Sequence, residues 1–224
     1  MRHSYLIVGQ KRKAPVGCFP LAITKIMAHY QFPSVYYAEG SMVMWYKISP
    51  DIAPNDTIIA ARVLYSVAKG CDSWFFEQGT FTFPWEATSF MRSIGFKNVD
   101  IKYYSFDVVK TQLDRGRPLL FYAMPNVKIQ ESHCWNIDGY YEKERVKTTK
   151  EYKNGNLART ETETGRCKMV HCDFGWQTKC NGYYVSGVFK LDDSRVEHDP
   201  DTYWSGDTNY NNWLINRLIT YEIP

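Results

Sequence analysis

Apolar positions along this chain change their period near its middle. Before residue 116 they recur at helical spacing; beyond it they alternate or run together as in strands. Ile23, Ile26, Met27 and Tyr30 form the first stripe, on a helix that starts at Cys18 and is closed by Pro33. Ser34 to Pro54 carries no clear period. Ile58, Ala61, Leu64, Tyr65 and Ala68 predict a helix over Thr57 to Lys69, with Asp56 as N-cap and Gly70 as stop. Phe81-Thr82-Phe83-Pro84 leads into another, Trp85 to Ser93, ended at Gly95. Asp107 to Arg115 reads as a short helix stopped by Gly116.

From Pro118 onward the pattern is that of strands. Leu119-Leu120-Phe121-Tyr122-Ala123 is apolar throughout, which predicts a strand buried on both faces. Ser132 to Asp138 alternates and places His133, Trp135 and Ile137 on one side. Tyr140 to Tyr152 and Leu157 to Cys167 flank Asn154-Gly155, a strong hairpin signal. Both arms read as polar on each face, so a β-ribbon projecting into water is expected over 140–167. Lys168 to Asp173, Tyr183 to Val185 and Leu218 to Ile223 complete the sheet, and Asp192 to Asn212 reads as a long functional loop. Helices first and strands second predict an α+β fold, in one domain over 1–224.

Composition narrows the function classes. A net charge of +3 without a long basic block gives no case for nucleic acid, and no apolar run is long enough for a membrane span. The N-terminus lacks the apolar core and cleavage site of a signal peptide. Aromatic residues make up 16% of the chain, which suits a β-rich protein with a lined groove. The cysteines are 18, 71, 134, 167, 172 and 180. Cys167, His171, Cys172 and Cys180 lack the spacing of structural zinc, so no metal or other cofactor is expected; a Cys172–Cys180 bridge across a turn fits better.

Candidate chemistry centres on Cys18. Gly17 permits a close or unusual backbone approach, and Pro20 is tolerated in a first helical turn. A thiol at a helix start meets unpaired N–H groups and the positive dipole end, both of which favour thiolate. The ordinary alternative is an inert, buried cysteine. An early cysteine on a helix and a later histidine on a strand suggest a nucleophile and its base. His133, emerging after the loop Pro125 to Glu131, is the better base; His171 lies within its strand.

Four ordered motifs then resemble the streptopain family of cysteine peptidases. Val16-Gly17-Cys18 with Ala22, Ile26-Met27 and Tyr30-Gln31-Phe32-Pro33 resembles the family's nucleophile segment. Gly116 to Tyr122 is similar to its strand before the base. Ser132-His133-Cys134-Trp135-Asn136-Ile137-Asp138-Gly139-Tyr140 resembles Gly-His-Ala-x-Val-x-Asp-Gly-Tyr. Asp173-Phe174-Gly175-Trp176, with Asn181-Gly182-Tyr183-Tyr184, resembles Asn-Trp-Gly-Trp-Gly-Gly and the Asn-Gly-Tyr/Phe that follows.

The resemblance implies a papain-like fold, with a helical half carrying Cys18 as nucleophile and an antiparallel sheet carrying His133 as general base. It implies an endopeptidase acting on peptide or protein substrates, preferring an apolar residue two positions before the scissile bond. It also implies a secreted or cell-envelope location and a zymogen whose pro-segment, or a protein inhibitor, occupies the cleft. Asp173, where the family has asparagine, is expected to orient His133 or else to be a solvated residue at a strand end, and Trp176 to shield the pair or else to be a plain core tryptophan. The family's oxyanion glutamine belongs to an upstream stretch that this chain does not reach, and Gln10 lacks its context. The alternatives are an impaired relative or fragment that binds peptides without turnover, and an acyltransferase or amidase using the same pair.

Overall fold

A computed structural model describes residues 4–6, 13–48, 57–76, 79–124, 132–175, 180–187, 189 and 215–224. Gln10, the Asp56 cap, the loops 125–131 and 192–212, and Trp176 lie outside the described residues.

A six-stranded antiparallel sheet organises the chain. Its strands are β7 (Lys97–Tyr103), β8 (Leu119–Met124), β9 (His133–Lys153), β10 (Asn156–Asp173), β11 (Gly182–Val185) and β12 (Ile215–Glu222), in the order β11-β10-β9-β8-β12-β7. Three short pairs precede or flank it: β1 (Ser4–Leu6) with β2 (Lys13–Pro15), β3 (Tyr37–Ala38) with β4 (Ser41–Met42), and β5 (Trp74–Phe76) with β6 (Gly79–Phe81). The helices are α1 (Cys18–Tyr30), α2 (Thr57–Gly70), α3 (Pro84–Ser93) and α4 (Phe106–Leu113). All four fall where apolar spacing predicts them, and the α+β expectation holds. Among the described residues no helix is long and apolar enough to cross a membrane.

The sheet is covered on both faces. Side chains of α1, α2 and α3 join Leu120, Tyr122, Cys134, Ile219 and Tyr221 in one core. Phe106 and Val109 of α4 join Leu119, Phe121, Trp135, Ile137, Cys172 and Leu218 in the other. Alternation along β8 and β9 divides them, so β8 is buried from Leu119 to Ala123, as its apolar run requires. The expected Cys172–Cys180 bridge is not formed, and all six thiols are free. Cys172 is instead turned toward Trp135 within the second core, and Cys180 occupies a left-handed turn position with φ 63°.

Beyond residue 140, β9 and β10 leave the sheet as a two-stranded ribbon, turned by Asn154 and Gly155 at φ 52° and 82°. Its root is tied to α4 by Lys110 with Glu142, 2.6 Å, and by the Tyr140 hydroxyl on Asp114. Both faces are polar and exposed, as expected, but they differ in kind. Register places Val146, Thr148, Lys150 and Tyr152 with Leu157, Thr160, Thr162 and Thr164 on one face. The other face carries Lys147, Glu151, Lys153, Arg159, Glu161 and Glu163. Toward its tip the first face is thus rich in threonine and the second in charge, while Glu144 and Arg166 lie on the first nearer the root.

Candidate active site

The turn before α1 is fixed from outside. The Thr80 hydroxyl of β6 donates to the Pro15 carbonyl at 2.6 Å, and Thr80 lies against Gly17. A Cβ on Gly17 would come within 3.0 Å of the Thr80 carbonyl oxygen. Gly17 itself has φ −71°, so close approach rather than unusual torsion calls for glycine here. Helix α1 then begins at Cys18, with no acidic residue in its first turn to offset the dipole.

Three contacts set α1 against the sheet. The Asn136 amide donates to the Ala22 carbonyl at 3.2 Å, and Lys25 pairs with Asp173 at 2.5 Å. Gly175, at φ 76°, leaves room for Leu21, whose Cδ2 would lie 2.6 Å from any Cβ there. Cys18, half-buried, consequently rests on β9 beside Cys134. The N–H groups of Cys134, Phe19 and Cys18 itself act on its sulfur. Burial nevertheless dominates and pushes the thiol above its ordinary value, with these N–H groups pulling the other way. Burial at the site thus opposes the helix-start effect that favours thiolate.

His133 opens β9 opposite Ala123. Its ring stacks near Trp135, at 5.7 Å and 27°, and near Phe174, at 6.1 Å and 12°. Burial pulls its pKa down to about 4, partly opposed by the Phe174 carbonyl. That carbonyl lies 3.2 Å from Nε2. A carbonyl only accepts, so with this bond made the neutral ring carries its proton on Nε2 and Nδ1 is the basic nitrogen.

Asp173 is placed differently from expectation. Its carboxylate takes Lys25, the Gly175 N–H at 3.0 Å and the Asn181 amide at 2.9 Å, rather than the imidazole of His133. Burial raises this carboxyl, but Lys25 and the two other donors hold it below its usual range. Asn181 also accepts the Phe174 N–H at 3.0 Å. The network therefore fixes the peptide whose carbonyl faces His133. Asp173 acts on the ring at one remove.

His171 belongs to a separate pair. Its Nδ1 lies 2.5 Å from Asp138 Oδ1, and its ring meets Tyr183 edge-on at 5.1 Å. It sits opposite Gly139, six residues along β9 from His133, or about 20 Å at strand rise. Cys18 lies at the His133 end.

The family model described as the peptidase C10 family matches residues 73–184. The chain belongs to this family. It is a cysteine-type peptidase domain of papain-like α+β fold. No curated protein matches it. Among solved structures it is similar to the active wild-type interpain A cysteine protease of Prevotella intermedia. That likeness has 15% sequence identity and a TM-score of 0.62, over 98% of this chain and 88% of that one. It bears on the fold, and it extends over the α1 region that the family match leaves out. Within the C10 match lie His133, Asp173 and Trp176, and also three contributors that sequence reasoning left without a role. These are the Phe174 carbonyl, Asn181 and the helix anchor Asn136. A backbone acceptor has no side-chain signature, but the Asn181-Gly182 motif was a usable signal.

Proposed function

We propose that this C10 domain is an endopeptidase that cleaves polypeptides through a thioester on Cys18. The observation that carries this is the Cys18 sulfur at the start of α1, served by three backbone N–H groups beside the strand residue that follows His133. As the sulfur attacks a peptide carbonyl, its proton passes to Nδ1 of His133 and the carbonyl oxygen becomes an oxyanion. The Cys18 N–H serves as one donor to that oxyanion. Collapse breaks the C–N bond, and His133 returns the proton to the leaving amine. Water then attacks the thioester with His133 again as base, releasing the acid and the free thiol. The Phe174 carbonyl keeps the ring in the tautomer this needs. Exposed Trp74 and Trp85, both against Phe83, offer apolar surface to substrate side chains. Secretion as a zymogen, with a pro-segment or protein inhibitor filling the cleft, belongs to the same proposal.

A second reading, peptide binding without turnover, draws on the burial that raises Cys18 and lowers His133. One experiment separates the two. Stoichiometric alkylation of Cys18 should abolish hydrolysis of an unfolded protein substrate. His133→Ala should slow both labelling and hydrolysis, the latter by about 10²-fold or more. Substrate binding with no hydrolysis by the unmodified chain supports the second reading. Hydrolysis that survives full Cys18 alkylation overturns the first.

A further inference from the structure

Cys134 stands where the motif it resembles carries alanine, and the mechanism above uses only its backbone. Its side chain points to the same face as Asn136, which bonds to Ala22 of α1. Two residues back along β9 is about 6.6 Å, and one turn back along α1 is about 6 Å. The two displacements match and bring Cys134 under Cys18. Cys18 packs on the core that contains Cys134, and its sulfur lies within reach of the Cys134 N–H. That proximity is compatible with the ordinary Cα separation of a disulfide, about 4.4–6.8 Å. Cys71 belongs to the same core, just past the end of α2, and acts on Cys134 but not on the Cys18 sulfur.

We infer that Cys18 and Cys134 form a reversible disulfide when the protein meets a peroxide, with Cys134 as the resolving thiol. Cys18 is half-buried, whereas Cys134 is only 1% exposed. Peroxide therefore meets Cys18 first. Its sulfur attacks the O–O bond, gaining one oxygen as a sulfenic acid while the rest of the peroxide leaves as water. The Cys134 sulfur then attacks the Cys18 sulfur and gives up its proton. The S–S bond forms, the S–O bond breaks, and a second water departs. Overall two thiols lose two electrons and two protons to one hydrogen peroxide. Without Cys134 the sulfenic acid would go on to sulfinic and sulfonic acids that thiols cannot reverse. Bond formation rests on the placement of the two cysteines alone. The loss of hydrolysis that accompanies it rests on Cys18 being the nucleophile.

The test treats the intact chain with a few equivalents of hydrogen peroxide and maps thiols by non-reducing peptide mass spectrometry. The expected product links Cys18 to Cys134, lowers the free thiols from six to four, and reverts with dithiothreitol. In Cys134→Ala the same treatment should leave Cys18 as sulfinic or sulfonic acid that dithiothreitol does not restore. Cys134→Val, which refills the sulfur's volume, should behave alike, and Cys71→Ala should leave the link intact. A Cys18–Cys71 link, no link at all, or equal thiol recovery with and without Cys134 overturns the inference. A Cys18–Cys134 link formed in a chain whose fully reduced form hydrolyses nothing refutes the catalytic reading instead.

Discussion

His133 and His171 share one sheet and respond to pH in opposite senses. Burial holds His133 neutral in the folded chain, with a pKa of about 4, whereas in the unfolded chain it takes a proton below about 6.5. Folding stability therefore falls as pH drops from about 6.5 to 4, by up to about 1.4 kcal/mol per unit. The hydrogen bond to Asp138 raises His171, outweighing its burial. Its contribution is present below about 6.5 and fades as pH climbs through the raised folded value. Denaturant titrations should accordingly show Asp138→Asn losing more stability at pH 6 than at pH 9. His133→Gln should flatten the acid limb. Equal losses for Asp138→Asn at both pH values would remove the pair from the account. At this scale the sequence was readable where a residue has a side-chain signature. Cys18 and His133 were picked out as candidates by type and position. The orienting acceptor was not, because it is the Phe174 carbonyl, and Asp173 drew attention that belonged to the peptide beside it.

Helices α1 to α4 and strand β8 were legible because each has a dense apolar stripe or run. Strand β7 was not: Val99 is buried and Ile101 half-buried, while most of its other residues are exposed at the sheet edge. Gly139 read as a break between two strands, yet β9 runs through it unbroken. A Cβ there would come 3.1 Å from His171 Cβ, so the glycine serves strand packing and not a turn. The Asn154-Gly155 hairpin was legible from two residues. Its depth was not, since no local pattern says how far a paired ribbon stands clear of its sheet. The ribbon's outer part touches neither core. Deleting residues 146–164 and joining the arms through Asn-Gly should leave the melting temperature within a few degrees. Peptide hydrolysis should be unchanged. A collapse of either would mean that the ribbon supports the domain.

The whole molecule consists of a helical layer and a sheet whose alignment decides where the sulfur sits. Which face of the sheet each helix covers cannot be read from periodicity, and α4 crosses to the face opposite α1. Lys25 with Asp173 joins the two layers, at 35% and 23% side-chain exposure. Removing that carboxylate strands a partly buried lysine and releases Asn181 and the Gly175 N–H. Asp173→Ala is therefore expected to lower stability by about 1–3 kcal/mol and turnover with it. Asp173→Asn, which keeps an acceptor for Gly175, should recover part of both. Calorimetry alongside kinetics checks this; a drop in turnover without any loss of stability would restore a direct role on His133.

The ribbon also constrains how this chain can diverge. Each residue in one arm is matched across to the other, and faces alternate with every step. Losing or gaining one residue in a single arm would exchange the threonine-rich and charge-rich sides from that point to the tip. The register offset between Leu157 and Arg159 marks where one unmatched residue, Ala158, is already absorbed as a bulge. Descendant sequences should thus vary in ribbon length by matched insertions, two residues in each arm at a time, with odd changes confined to that bulge or to the tip.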